Sequence, residues 1–289
     1  MKEFKFLKRS APRPILRQLL VDDRGIIGTD LETYLLVKGK TDYRQGLHDV
    51  ELLEHNVKSG HDVDDYPLVT FNDVSYDKVT MQTSDVKKLI KFASKDETRI
   101  QLNGMFIGNG DAVCVDGHTL HKVSIDKTDQ EYIIPRTSLT LLIKLLKSTK
   151  EVTFSFNDSF AIVDTDTFTM KMRLINREFP KYNTVIPATT KYEFNVTNMP
   201  LLKDIKPLLN KRTNNGVELI GKDGIVTMFI KQFDKSFVIG NCAEDFNIGF
   251  NALYIYRAIE TKQKEFVIKY NGECNPIIIN ESVIMPLKL

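Results

Sequence analysis

One unit recurs four times along this 289-residue chain, roughly every 55 residues, and a repeat of that size fixes the architecture before any site is considered. The copies open at Val79-Thr80-Met81, Tyr132-Ile133-Ile134, Tyr192-Glu193-Phe194 and Phe246-Asn247-Ile248. Each reads as a strand, a helix and three further strands. In the first copy Ser84 is placed to cap a helix whose apolar positions Val86, Leu89, Ile90 and Ala93 fall at helical spacing. Strands are expected at 99–101, 105–107 and 112–115, with Asn109-Gly110 as a tight hairpin turn because both residues tolerate positive φ. In the second copy Thr137 or Ser138 caps a helix carrying Leu139, Leu142, Ile143 and Leu146. Strands 152–156 and 160–163 then flank the Asn157-Asp158-Ser159 turn, and Phe168, Met170 and Met172 alternate with Thr169, Lys171 and Arg173 as in a strand with one buried face. In the third, Pro207 shortens or kinks the helix and 221–224 make a hairpin; in the fourth, Asn251 opens a helix reaching Ile259. Such repetition describes an α+β scaffold rather than a single catalytic pocket.

Paired copies make natural domains at 75–189 and 190–289. Residues 1–74 read as a truncated member of the series. An opening strand at 2–7 is followed by Pro12 and Pro14 where a helix would stand, then by strands at 15–21, 25–28 and 33–37. The polar segment 42–65 has one short apolar stretch at Val50–Leu53.

Three well-separated cysteines, Cys114, Cys242 and Cys274, argue against a disulfide framework or a zinc knuckle and for a reducing, cytoplasmic compartment. The N-terminus alternates charged and apolar residues and no apolar run reaches membrane-spanning length, so neither export nor a membrane partner is expected. The net charge of +2 makes no bulk case for nucleic acid, so the position of the charges must decide. Lys88, Lys91 and Lys95 follow helical spacing opposite the apolar stripe; Lys144 and Lys147, Lys203 and Lys206, and Arg257 with Lys262 and Lys264 do the same in the later copies. For one helix this is an ordinary solvated face. Recurrence in four helices suggests one shared basic surface that meets phosphates without reading bases.

Catalytic readings fail on spacing. Asp116, His118 and His121 lie along strands where residues three apart point to opposite faces, so no metal site is expected. Gly39-Lys40-Thr41 lacks the earlier glycine of a phosphate loop, since Tyr34 stands there. His61, Asp62, Asp64 and Asp65 lack the glycine and distal glutamate of a calcium loop. The expectation is a protein with no catalytic residues, metal or cofactor.

Six segments carry a resemblance. Gly28-Thr29-Asp30-Leu31-Glu32, Leu102-Asn103-Gly104-Met105, Asp116-Gly117-His118-Thr119-Leu120, Phe179-Pro180-Lys181-Tyr182 with Val185-Ile186-Pro187, Gly249-Phe250-Asn251 and the terminal Val283-Ile284-Met285-Pro286-Leu287-Lys288-Leu289 occur in the order found in the bacterial sliding clamp, the DNA polymerase III β subunit, which this chain resembles. The resemblance implies the DNA-clamp fold, with outer antiparallel sheets and inner helices, and a homo-oligomeric ring, a head-to-tail dimer, around double-stranded DNA. It also implies that DNA polymerase and clamp loader dock by short peptide motifs in a pocket between domains two and three. Carried over by position, that pocket uses Leu102, Val115, Gly117, His118, Leu120, Pro187, Asn251, Tyr254, Met285, Pro286 and Leu287. The DNA-facing set is Lys88, Lys91, Lys95, Lys144, Lys147, Lys203, Lys206 and Arg257. Thr119 and Lys288 stand where the family usually has arginine, and Arg177-Glu178 where it commonly has Gly-Arg. The shortened first domain leaves a second reading open: a clamp-fold accessory protein that docks peptides or coats DNA without closing a ring.

Overall fold

The computed structural model describes residues 2–4, 13–67, 70–71, 75–147, 149–209, 215–259 and 265–288. The N-terminal segment forms β1 (Gln18–Asp22), β2 (Gly25–Thr29), β3 (Thr33–Lys38) and β4 (Gly46–Asp49). All four copies of the repeat follow. The first is β5 (Asp77–Gln82), α1 (Thr83–Leu89), β6 (Gly104–Gly108), β7 (Asp111–Val115) and β8 (Thr119–Ser124). The second is β9 (Tyr132–Pro135), α2 (Arg136–Leu146), β10 (Glu151–Phe156), β11 (Phe160–Asp164) and β12 (Phe168–Arg173). The third is β13 (Tyr192–Val196), α3 (Leu202–Ile205), β14 (Gly216–Lys222), β15 (Ile225–Ile230) and β16 (Lys235–Cys242). The fourth is β17 (Phe246–Asn251), α4 (Ala252–Ala258), β18 (Phe266–Tyr270), β19 (Ile277–Ile279) and β20 (Ser282–Ile284).

By packing, the chain divides into two compact units, one made of Met1–Ile90, Asp96–Ala112 and Ser124–Phe179, the other of Lys91–Lys95, Val113–Val123 and Pro180–Leu289. The first is built on an eight-stranded sheet in the order β4-β1-β2-β3-β12-β11-β10-β5. The N-terminal strands enter this sheet through β3, where Tyr34 faces Lys171 and Thr33 faces Met172 in antiparallel register. Residues of β5 alternate between buried and exposed, so Val79 and Met81 feed the core while Lys78, Thr80 and Gln82 face solvent. Helices α1 and α2 pack on one another, and Val86, Leu89, Leu139, Leu142 and Leu146 are all buried.

A carboxylate ties this unit together. Asp77 is 8% exposed and accepts from the Tyr132 hydroxyl at 2.7 Å and from the backbone N–H groups of Asp129 and Gln130 at 3.1 and 3.3 Å. Burial alone would raise its pKa, but these three donors outweigh burial and hold it below the ordinary aspartate value. Burial and the adjacent Asp77 push the Tyr132 phenol upward. The Tyr132 ring stacks on Phe156 at 4.3 Å, so the polar contact sits at the edge of an aromatic core.

In the second unit the strands run β17-β14-β15-β16-β13-β18-β19-β20-β8. Phe194 on β13 stacks on Phe246 at 4.8 Å and meets Tyr270 edge-on at 5.9 Å. Close approach explains Gly240: a Cβ there would collide with the Asn195 carbonyl, where β16 pairs with β13. The Asp223-Gly224 turn takes positive φ at both residues, as does Asn109-Gly110 in the first unit, matching the hairpins read from sequence.

Several local expectations are corrected. Helix α1 starts at Thr83 behind Gln82, so Ser84 is inside the first turn rather than at the cap. Pro135 precedes α2, and Ser138 is instead buried, its hydroxyl 2.7 Å from that of Thr33. The segment expected as a strand at 99–101 is a 3-10 turn, Ile100–Leu102. The stretch expected to open the chain as a strand has a 3-10 turn at Lys2–Phe4, and 5–7 lie outside the described residues. The strand expected from Ile15 begins at Gln18, because Pro14 starts a 3-10 turn reaching Arg17. Lys171 and Thr169, expected on a solvent face, are buried; the Lys171 ammonium donates to the Thr70 carbonyl at 3.2 Å and lies 4.3 Å from the Phe160 ring centroid. The closing strand expected at 283–287 ends at Ile284.

Candidate docking site and the lysine-bearing helices

Nine of the eleven expected pocket residues gather on three neighbouring pieces of the second unit. The first is the turn between β7 and β8. Gly117 there takes φ 91°, a conformation that favours glycine, and Asp116 N–H donates to the Thr119 carbonyl at 3.1 Å. The Asp116 carboxylate accepts from His118 N–H, Thr119 N–H and the Thr119 hydroxyl at 3.0, 2.8 and 2.9 Å. That network fixes the exposed His118 on top of the turn. Val115 lies half-buried before it, and Leu120 after it is buried.

The second piece is the start of α4. Asn251, 8% exposed, caps the helix by accepting from Leu253 N–H at 2.9 Å, as its sequence position predicts. One turn on, Tyr254 presents its ring to His118, with centroids 6.0 Å apart and planes 16° from parallel. Burial raises the Tyr254 phenol pKa, Asp116 adds to the rise, and Arg257 opposes it.

The third piece is the chain beyond β20. Val283 pairs with Leu120 across β20 and β8. Met285 N–H then donates to the His118 carbonyl at 2.9 Å, and Leu287 N–H to the Gly249 carbonyl at 2.7 Å. Backbone bonds thus hold this segment in place while Met285 remains 38% exposed. Pro286 and Leu287 are half-buried. Of the remaining two, Pro187 is half-buried in the second unit, and Leu102 is buried in the 3-10 turn of the first.

Sequence reasoning missed how Arg257 and Phe92 complete this cluster. Arg257 Nη1 donates to Asp116 at 2.5 Å and to the Thr119 hydroxyl at 3.0 Å. Its guanidinium lies 5.0 Å from the Tyr254 ring centroid and 5.7 Å from that of Phe92. Asp116 and His118, expected along strands, lie instead in the turn between β7 and β8; nothing in the helical spacing of Arg257 signals a partner 141 positions away. The three residues weighed as a metal site have separate partners: His121 Nδ1 lies 2.9 Å from the Ser282 hydroxyl, with its ring on Phe92, while His118 covers Tyr254 and Asp116 binds Arg257. Among the described residues no group of three or more His, Cys, Asp or Glu could hold a metal ion.

The lysines are less regular than their spacing suggested. Helix α1 ends at Leu89, so Lys88 is helical but the exposed Lys91 and Lys95 follow the helix. Lys144 is exposed in the last turn of α2, and Lys147 terminates it with φ 38°. Lys203 lies in the four-residue α3. Lys206 opens the 3-10 turn containing Pro207, which ends that helix early as expected. Both are exposed. Lys262 and Lys264 fall outside the described residues.

Four β-α-β-β-β copies in continuous antiparallel sheets, with short helices carrying lysine, define the DNA-clamp fold. In sequence the chain is similar to the beta sliding clamp of Chlamydia pneumoniae, 23% identical over an alignment that covers 97% of this chain and 93% of that protein. The beta sliding clamp of Chlamydia muridarum is 24% identical over 78% of this chain and 69% of its own length. No protein-family model matches the chain. Among solved structures, the DNA polymerase sliding clamp of Pseudomonas aeruginosa superposes with a TM-score of 0.79 at 18% identity, covering 100% of this chain and 97% of that one. The sliding clamp of Bartonella birtlesii gives 0.80 at 19% identity, over 98% and 94%. In sequence the chain is similar to the beta sliding clamps at low identity, and it carries their fold.

Proposed function

We propose that this chain is the subunit of a sliding clamp, a processivity factor that assembles with copies of itself into a ring around duplex DNA. The observation that supports this best is the fourfold repeat, present from β5 to β20 in the same strand and helix order. A ring holds DNA by topology, so it needs only loose, water-spaced cations near the phosphates; tight or base-specific contacts would stall it. The exposed lysines Lys91, Lys95, Lys144, Lys147, Lys203 and Lys206, with Lys88, suit that role. Arg257 adds little net charge, because Asp116 neutralises it.

Polymerase and loader peptides dock on the surface formed by His118, Tyr254 and Met285 with their neighbours, where apolar and aromatic groups surround a few fixed polar ones. Leu102 and Pro187 belong to the same proposed set. The protein works in the cytoplasm without catalysis, cofactor or metal. Its most developed polar cluster joins Asp116 to Arg257 and Thr119 as an ion pair with a neighbouring hydroxyl, not as a nucleophile and base.

A second reading rests on the N-terminal segment, which among the described residues has four strands and no α-helix: an accessory protein of clamp fold that does not close. Native mass spectrometry distinguishes the two. A stable closed oligomer at micromolar concentration supports the ring, and a monomer supports the accessory protein.

A further inference from the structure

Arg257 is half-committed. Its Nη1 serves Asp116 and Thr119, whereas Nε and Nη2 have no hydrogen-bond partner among the described residues. Asp116 cannot use them: its Oδ1 already accepts three donors and its Oδ2 takes Nη1. Tyr254 and Phe92, each in cation–π range, restrict where the guanidinium can turn. The side chain is nonetheless 25% exposed, beside the exposed His118 and within the cluster that Met285 borders. The result is a cation fixed in place, partly desolvated, with donors left over on an open surface.

A planar guanidinium with two free nitrogens matches a planar carboxylate, which can take both bonds at once; a lysine in its place could not. We propose that Arg257 is a specificity-determining residue that binds a carboxylate of the docked peptide, so that this chain selects acidic peptides whose Asp or Glu lies beside their apolar anchors. The proposal rests on the peptide-docking reading above. A duplex phosphate is the less suitable ligand, because the Asp116 carboxylate lies against the same guanidinium and opposes the long-range field on which phosphate attraction depends.

The test uses the full chain and fluorescein-labelled hexapeptides of otherwise apolar residues, made in pairs that differ only by Asp or Asn at one position, with that position moved along the peptide from pair to pair. Fluorescence anisotropy should find at least one pair in which the Asp member binds about tenfold tighter, the effect of a charge-assisted hydrogen bond at a partly exposed site. Arg257→Lys should bring that pair within about twofold of each other, the readout being the ratio of the two members rather than either affinity alone. A merely structural role would weaken both members together. Equal binding of Asp and Asn members by the unaltered chain overturns the proposal without needing a variant, and leaves docking intact. So does a preference that survives Arg257→Lys, or a variant that keeps the preference and loses duplex affinity. Failure of every peptide to bind overturns the docking reading and this proposal together.

Discussion

Met285→Ala isolates the contribution of one side chain to docking, because the segment that carries it is held by its backbone. Met285 N–H is bonded to the His118 carbonyl, and the side chain is 38% exposed. Full burial of a methionine is worth about 1.5–3 kcal/mol, so covering the exposed third gains roughly 0.5–1 kcal/mol. The apolar surface of the peptide that covers it gains a similar amount, giving about 1–2 kcal/mol in all, or a roughly 5- to 30-fold weaker Kd for the alanine variant. The rest of the side chain is already covered in the folded chain, so on the same scale folding stability should fall by roughly 1–2 kcal/mol. Anisotropy with a labelled apolar hexapeptide measures the first quantity and urea unfolding the second. Met285→Leu, which keeps the apolar volume, should stay within about threefold of the unaltered chain. A Kd within twofold for Met285→Ala would place the peptide elsewhere; a stability loss well beyond about 2 kcal/mol would mean that the side chain supports the fold more than its burial implies.

Two other perturbations test separate parts of the account. Asp77 has a folded-state pKa below its ordinary value of 3.8, so its stabilisation is fully present above about pH 4 and is lost as pH falls through the lower folded value. Asp77→Ala should therefore cost about 2–4 kcal/mol at pH 7, with the gap to the unaltered chain narrowing below pH 4 in urea unfolding; a gap independent of pH would refute the hydrogen-bond assignment. Reversing Lys91, Lys95, Lys144 and Lys147 to Glu should weaken duplex association at low salt and flatten its salt dependence, the slope falling by about 0.9 for each phosphate that is no longer neutralised. An unchanged slope would place those lysines away from DNA.

The architecture was legible because its periodicity is redundant: four copies each carry a period-two strand and a helical stretch, with polar turns such as Asn109-Gly110, Asn157-Asp158-Ser159 and Asp223-Gly224 between strands, so an error in one copy does not shift the others. Caps and ends were less legible. Ser84 has the right chemistry for a cap but the cap position is Gln82, two residues earlier, and Lys91 continues a helical spacing that the structure has already ended. Burial of Lys171 could not be read from alternation, because its ammonium meets the Thr70 carbonyl, 101 positions away. In the docking cluster the Asn251 cap is local and was visible, whereas the Asp116-Gly117 turn falls where strand was expected. The bond from Arg257 to Asp116 joins distant positions with no shared pattern, and it changes what the arginine can do.

Retention on DNA of different topology tests encirclement directly. The protein should be placed on nicked circular duplex, with a cognate loader if spontaneous opening is too slow, and isolated by gel filtration before and after cutting the circle at one site. Encirclement predicts that the circle keeps the protein through the column and that linearisation releases it from the free ends. Equal retention on circular and linear DNA would show binding by surface attraction alone and contradict the central claim.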